Sequence, residues 1–186
     1  MTKNVSENFL VFILYIILFI LEWFFINLFQ NLEIAIAASL VYLPHGLRVI
    51  ATILRGSKIL PGLFLGHFLT GYYMQLSDGL VTNTDLIATL LTSLGGTLSA
   101  YIAIFILKYF KNYSGSITLN NILIIALISS VINSLASNIT YYVIYKSWDA
   151  YVQFLLFIMG DLIGAIVLFY FLKFTYGIIK DNINNI

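Results

Sequence analysis

His45, Arg48 and His67 fall between Leu43 and Tyr73, a stretch of membrane-length apolar sequence that also holds both prolines, Pro44 and Pro61. Ionisable side chains in hydrocarbon are costly, and they commonly mark where a membrane protein works. Read as an antiparallel hairpin turning at Gly56, the stretch sets His45 eleven residues before the turn and His67 eleven after it. Both then sit about 16 Å from the turn, near the bilayer midplane. Equal depth allows three roles: hydrogen bonds to neighbouring helices, the polar lining of a ligand pocket, or shared ligation of haem or a metal. No cofactor and no metal is assigned on this basis.

Pro44 lacks an amide donor and clashes with the preceding turn, so it kinks or breaks a second helix. A broken helix at mid-membrane frees backbone groups that can bind a ligand; a plain kink is the other outcome. Arg48 lies about 10 Å along a helix from Arg55 at the membrane edge, within partial snorkelling range. Otherwise it needs an anion, since a lone buried charge is costly. Asp161, in Met159-Gly160-Asp161-Leu162-Ile163-Gly164, lies at a matching depth, whereas Glu22 falls in the outer half of the first helix. Such a pair is either a structural clamp or a site for a charged ligand.

Ser129, Ser130, Asn133, Ser134, Ser137 and Asn138 recur at spacings that place them on one broad helix face. Asn133 and Asn138 on such a face point into the bundle, for inter-helix hydrogen bonding or for lining a pocket. Gly62 with Gly66, Gly95 with Ser99, and Gly160 with Gly164 are small residues four apart, read as close-packing notches. No serine nucleophile motif, useful carboxylate pair or phosphate loop is present, so the reading is not an enzyme. Without cysteine, disulfides, thiolate metal sites and cysteine catalysis are excluded.

These residues need a lipid-embedded frame. Of the 186 residues 61% are hydrophobic and 9% charged, against roughly a quarter charged in soluble domains. The fold expected is all-α, a polytopic membrane protein with no alternating barrel strands and no basic tract for nucleic acid. About twenty apolar residues cross a bilayer, and six stretches qualify: 9–29, 34–54, 59–76, 85–107, 119–145 and 151–174. They make one transmembrane domain over 1–186, a bundle of six helices whose second is broken at Pro44. Ala35-Ile36-Ala37 resembles a signal cleavage site, but the first apolar stretch is too long for a signal core and is read as retained. With both termini cytoplasmic, that side collects Lys3, Arg55, Lys58, Lys108, Lys111, Lys173 and Lys180, leaving Lys146 opposite. No loop is long enough for a soluble domain, and the tail after Lys180 is expected only to end the chain.

The stretch from Leu43 to Tyr73 resembles the bacterial membrane-associated sensor domain of the first type (MASE). The matching positions are Pro44, the Arg55-Gly56 turn with Lys58, Pro61-Gly62 and Gly66, with Gly160-Asp161-Leu162-Ile163-Gly164 similar to the family's late aspartate/glycine helix. Tyr42-Leu43 stands where that family carries tryptophan. The family generally has about eight helices and a kinase, cyclase or phosphodiesterase module, so the resemblance implies a stand-alone sensor domain signalling through a partner membrane or signalling protein. It implies a multi-pass protein of the bacterial inner membrane. A second similarity, in size and helix number, is to substrate-binding subunits of energy-coupling-factor vitamin transporters. The function expected is binding of a small ligand or membrane-linked signal inside the bundle, through Pro44, His45, Arg48, His67, Asn133, Asn138 and Asp161. The alternative is a subunit for small-solute uptake.

Overall fold

A computed structural model describes residues 2–29, 41–111, 118–146 and 150–184 of the chain. The described residues are helical: α1 (Thr2–Phe29), α2 (Leu43–Arg55), α3 (Leu60–Asp78), α4 (Asn83–Lys111), α5 (Leu119–Tyr145) and α6 (Ala150–Asn184), with a 3-10 turn over Gly56–Ile59 between α2 and α3. Among the described residues, five helical stretches are long and apolar enough to cross a membrane: Asn4–Phe24, Leu43–Ser77, Asn83–Phe110, Leu119–Tyr145 and Phe154–Tyr176. The second of these is not straight. Gly56 has φ +63°, a conformation that L side chains rarely adopt, and the chain reverses there. Large apolar side chains such as Phe9, Ile20, Leu94, Phe105, Val167 and Phe171 point outward. A surface of this kind is stable against lipid rather than water.

The helices run further than hydropathy alone marks. α1 starts at Thr2 rather than 9, and α6 continues to Asn184 rather than 174. The added turns are polar at both ends of the chain, so they extend past the apolar windows while keeping their backbone bonds.

α2 differs most from expectation. Residues 34–40 of the expected second helix lie outside the described residues, and Val41 and Tyr42 are not helical. Pro44 stands in the first turn of α2, where its missing N–H costs no bond. Among the described residues the proline therefore stands at a helix start, directly after non-helical Val41 and Tyr42. At 13 residues α2 is about 20 Å long, too short to cross hydrocarbon alone. Every residue from Pro44 to Thr52 is buried, so α2 is the bundle's central rod.

Neighbouring helices fix it. α2 packs chiefly on α6 and runs parallel to it, as Tyr42 meets Gly160 and Gly46 meets Gly164 and Leu168. It diverges from α3; α1 and α4 bridge the two arms. Gly164 makes the α6 contact possible, because a methyl group there would overlap the Tyr42 carbonyl and the Leu43 amide. The Tyr42 amide donates to the Gly160 carbonyl at 2.9 Å. The Leu43 amide donates to the Glu22 carboxylate of α1. With Pro44 next, the N-terminal amides of α2 are thus satisfied inside the bundle, as buried helix starts require.

α1 is stapled along α3. Asn8 Nδ2 donates to the Lys58 carbonyl at 2.8 Å, and its Oδ1 accepts from the Gly62 amide at 2.8 Å. Glu7 pairs with Arg55 at 3.0 Å. These contacts put the start of α1, the α2–α3 turn and its basic residues at one end of the bundle. Tyr145 donates to Asp85 at 2.6 Å at the opposite end, tying α5 to α4. Toward the basic end the core is apolar: Val49, Ala100, Ile104, Leu107, Ile122, Ile125 and Ala165 pack into one buried cluster.

Candidate functional site

Above that apolar floor, α2 presents Arg48 to a polar layer drawn from four other helices. The guanidinium is fully buried and lies over the Tyr42 ring, 5.4 Å from its centroid. A cation over a ring face is held by the ring's quadrupole, with about 2 kcal/mol available when desolvated. Arg48 Nη2 stands 3.8 Å from Asp161 Oδ1 of α6, within ion-pair range but too long for a hydrogen bond. Its Nη1 donates weakly to Asn133 Oδ1 of α5, at 3.5 Å. Asn133 in turn donates to Asp161 Oδ2 at 2.8 Å. The expected Arg48–Asp161 neighbourhood is therefore present, with Asn133 as its third member.

His45 reaches Asp161 from the other side. Its Nδ1 is 3.1 Å from Asp161 Oδ2 but off the line of a hydrogen bond, so the contact is one of proximity and charge. His67 does not meet it. That ring stacks on Tyr15 of α1 at 5.8 Å between centroids and hydrogen-bonds the Ser93 backbone of α4. The two histidines share a depth yet serve different sides of Arg48, because α2 and α3 diverge. Among the described residues no three His, Asp or Glu side chains converge as a metal site.

Gly96 holds the layer open. A methyl group there would overlap Arg48 Nη1, His67 Cε1 and Asn133 Oδ1 together. The unbranched position on α4 is what lets three polar side chains from three helices converge. Tyr15, fully buried, hydrogen-bonds Tyr42 hydroxyl to hydroxyl at 3.0 Å. It thereby braces the ring on which Arg48 rests.

From this layer a cavity of about 470 Å³ extends toward the Asp85–Tyr145 end. Arg48, His67, Asn133 and Asp161 form its base, while Glu22, Trp23, Gln75 and Tyr141 stand higher on its walls. Several buried groups at this surface lack a hydrogen-bond partner among the described residues: Arg48 Nε and Nη2, Glu22 Oε2, His67 Nδ1 and Ser93 Oγ. Buried polar atoms are normally paired, so this cluster is shaped for something it can bind. Nε and Nη2 form one edge of the guanidinium fork, the edge that takes both oxygens of a carboxylate.

Asn138 stays apart from this group. Its Nδ2 donates to the Ser134 carbonyl on its own helix at 2.8 Å, and it does not line the cavity. Ser134 bonds the Phe154 carbonyl at 3.1 Å and Ser129 bonds Ser99 at 2.9 Å, so much of the α5 polar face serves helix packing. Pro44 and His45 are buried behind the site rather than on the cavity wall. Sequence reasoning missed Tyr15, Tyr42 and Gly96; the Gly95-Gly96 pair in the middle of an apolar helix was the signal available. It also set Glu22 aside, which the start of α2 brings to the cavity. Set against protein-family models, curated proteins and solved structures, the chain finds no match.

Proposed function

We propose that this chain is a non-enzymatic, sensor-like membrane domain that binds a small ligand within the bundle and signals through a partner protein. One observation carries the reading: at the base of a cavity, the Nε–Nη2 edge of a fully buried arginine makes no hydrogen bond among the described residues and has only the 3.8 Å contact to Asp161. In this reading the chain crosses a bacterial inner membrane six times, α2 and α3 as separate crossings, with both termini cytoplasmic. α2 would then be the inner part of a Pro44-broken crossing. The resemblance to the membrane-associated sensor family supports the same assignment.

A signal requires that ligand favour one arrangement of the bundle over another. Arg48 supplies the means, since its guanidinium is shared among Tyr42, Asn133 and Asp161 with no short ion pair to any of them. A ligand taking the free edge draws Arg48 toward the cavity and loosens α2 from α6. Native mass spectrometry of gently solubilised protein tests the binding step: a retained small molecule is expected, absent from the Arg48→Ala variant. Empty wild-type protein would count against it.

A second reading, an uptake subunit of the vitamin-transporter type, is favoured by the one-sided cavity over an apolar floor. Reconstituted vesicles separate the two. Labelled ligand bound without transport supports the sensor, and accumulation with an energising partner supports uptake.

A further inference from the structure

We infer that the ligand of this cavity is a compact zwitterion of the α-amino-acid class, carboxylate and ammonium close together on an apolar or aromatic body. This rests on the reading of the cavity as a ligand site.

The anionic pole is set by Arg48. Its Nε–Nη2 edge makes no hydrogen bond among the described residues, although Nη2 faces Asp161 Oδ1 at 3.8 Å. The two parallel N–H donors of that edge match the two oxygens of a carboxylate in a single plane. The opposite edge is already engaged by Asn133 Oδ1, so the direction from which a carboxylate can approach is fixed.

The cationic pole is set by Glu22. One carboxylate oxygen accepts from the Leu43 amide, and Oε2 is buried without a partner on the cavity wall. Glu22 and Arg48 line one cavity of about 470 Å³. A ligand reaching both must therefore carry its two charges within a small molecule. Aromatic side chains Phe19, Trp23, Tyr141 and Phe157 complete the wall; their ring faces suit an ammonium and an apolar body alike.

Charge and hydrogen-bond satisfaction together select between ligand classes. The cavity sets two carboxylates, Glu22 and Asp161, against one guanidinium. A simple anion would satisfy Arg48 while adding a third negative charge beside them. A simple amine would answer Glu22 and leave the arginine edge bare. A zwitterion answers both poles without adding net charge.

The test is thermal stabilisation of the detergent-solubilised full chain by the twenty common L-amino acids, followed by paired analogues. L-phenylalanine is compared with phenylalaninamide, which lacks the carboxylate, and with 3-phenylpropionate, which lacks the ammonium; every amino acid that stabilises is compared in the same way. At least one amino acid should raise the melting temperature in a saturable manner, and both analogues should bind at least tenfold more weakly. In Glu22→Gln, whose side-chain carbonyl still accepts from Leu43, the preference for the amino acid over its des-amino analogue should vanish. Arg48→Lys should weaken the amino acid and spare the amide; if it does not fold, the Glu22→Gln comparison stands alone. Equal binding of either analogue, or no stabilisation by any amino acid, overturns the inference. A different small molecule retained in native mass spectrometry would then leave the binding reading intact. An empty protein would remove both.

Discussion

Asn133 donates its side-chain amide to Asp161 Oδ2 at 2.8 Å while its carbonyl oxygen faces Arg48 Nη1 at 3.5 Å. One neutral side chain thus bridges a buried cation and a buried anion that do not themselves make a hydrogen bond. The three residues come from α2, α5 and α6, so they bind the bundle's centre as well as forming the cavity base.

The Arg48–Asp161 pair should be strongly coupled. Asp161→Asn leaves a guanidinium in the bundle without its anion, at an expected cost of about 3–5 kcal/mol. Arg48→Met should be destabilising as well, but the double variant less so than the sum, with a coupling of about 1–3 kcal/mol. Unfolding of the purified variants measures this; additive effects would show that the pair does not act as a unit.

Gly96→Ala is expected to cost about 1–3 kcal/mol by overpacking and to abolish ligand retention. The added methyl displaces Arg48, His67 and Asn133 together. Native mass spectrometry beside a melting curve checks it; full ligand retention would mean the convergence at Gly96 is not needed.

Asn8→Ala removes two bonds that tie α1 to the base of α3. A loss of about 1–3 kcal/mol is expected, since the Gly62 amide and the Lys58 carbonyl lose their partner. Hydrogen exchange should rise in α1 first. Uniform exchange across all helices would argue that α1 is not a separable unit.

The absence of cysteine makes single-cysteine labelling clean for the number of crossings. Lys58→Cys and Lys108→Cys should react from one side of the membrane only, the cytoplasmic side in the proposed orientation, and Leu80→Cys and Lys146→Cys from the opposite side only. If Leu43–Ser77 were one straight crossing, Lys58→Cys would sit in hydrocarbon and stay unlabelled from both sides.

Depth is legible in the sequence, and azimuth is not. Counting residues from Gly56 and from the ends of apolar runs places Arg48 level with Asp161, and the two stand within ion-pair range. The same count places His45 beside His67, but the divergence of α2 from α3 turns them to different sides of Arg48. That divergence depends on Asn8 and Tyr15 of α1 packing over Gly62 and Gly66, a contact between distant segments that hydropathy does not encode. Asn138 shows the same limit. It shares a helical face with Asn133, yet the Ser134 carbonyl one turn away satisfies its amide. Glu22 is misjudged when depth is counted along the first helix alone; with Tyr42 non-helical and Pro44 in the first turn of α2, Leu43 presents an amide that an acid on α1 can accept from. Tyr15 and Tyr42 are indistinguishable in composition from the aromatic residues that face lipid.

The placement of Arg48 on α2 and of its partners on α5 and α6 also sets an order of events during synthesis. The arginine leaves the ribosome roughly a hundred residues before Asp161, on the order of ten seconds earlier at ~5–20 residues per second. Throughout that interval its charge has no acid from α6, and residence at the bilayer centre costs about 2.5–3.5 kcal/mol. A 13-residue helix ending in Arg55 can instead wait near the headgroups, its charge still hydrated. Its seat against Asn133 and Asp161 is complete only once the last two helices arrive, so α2 cannot finish packing before them although it is among the first to be made.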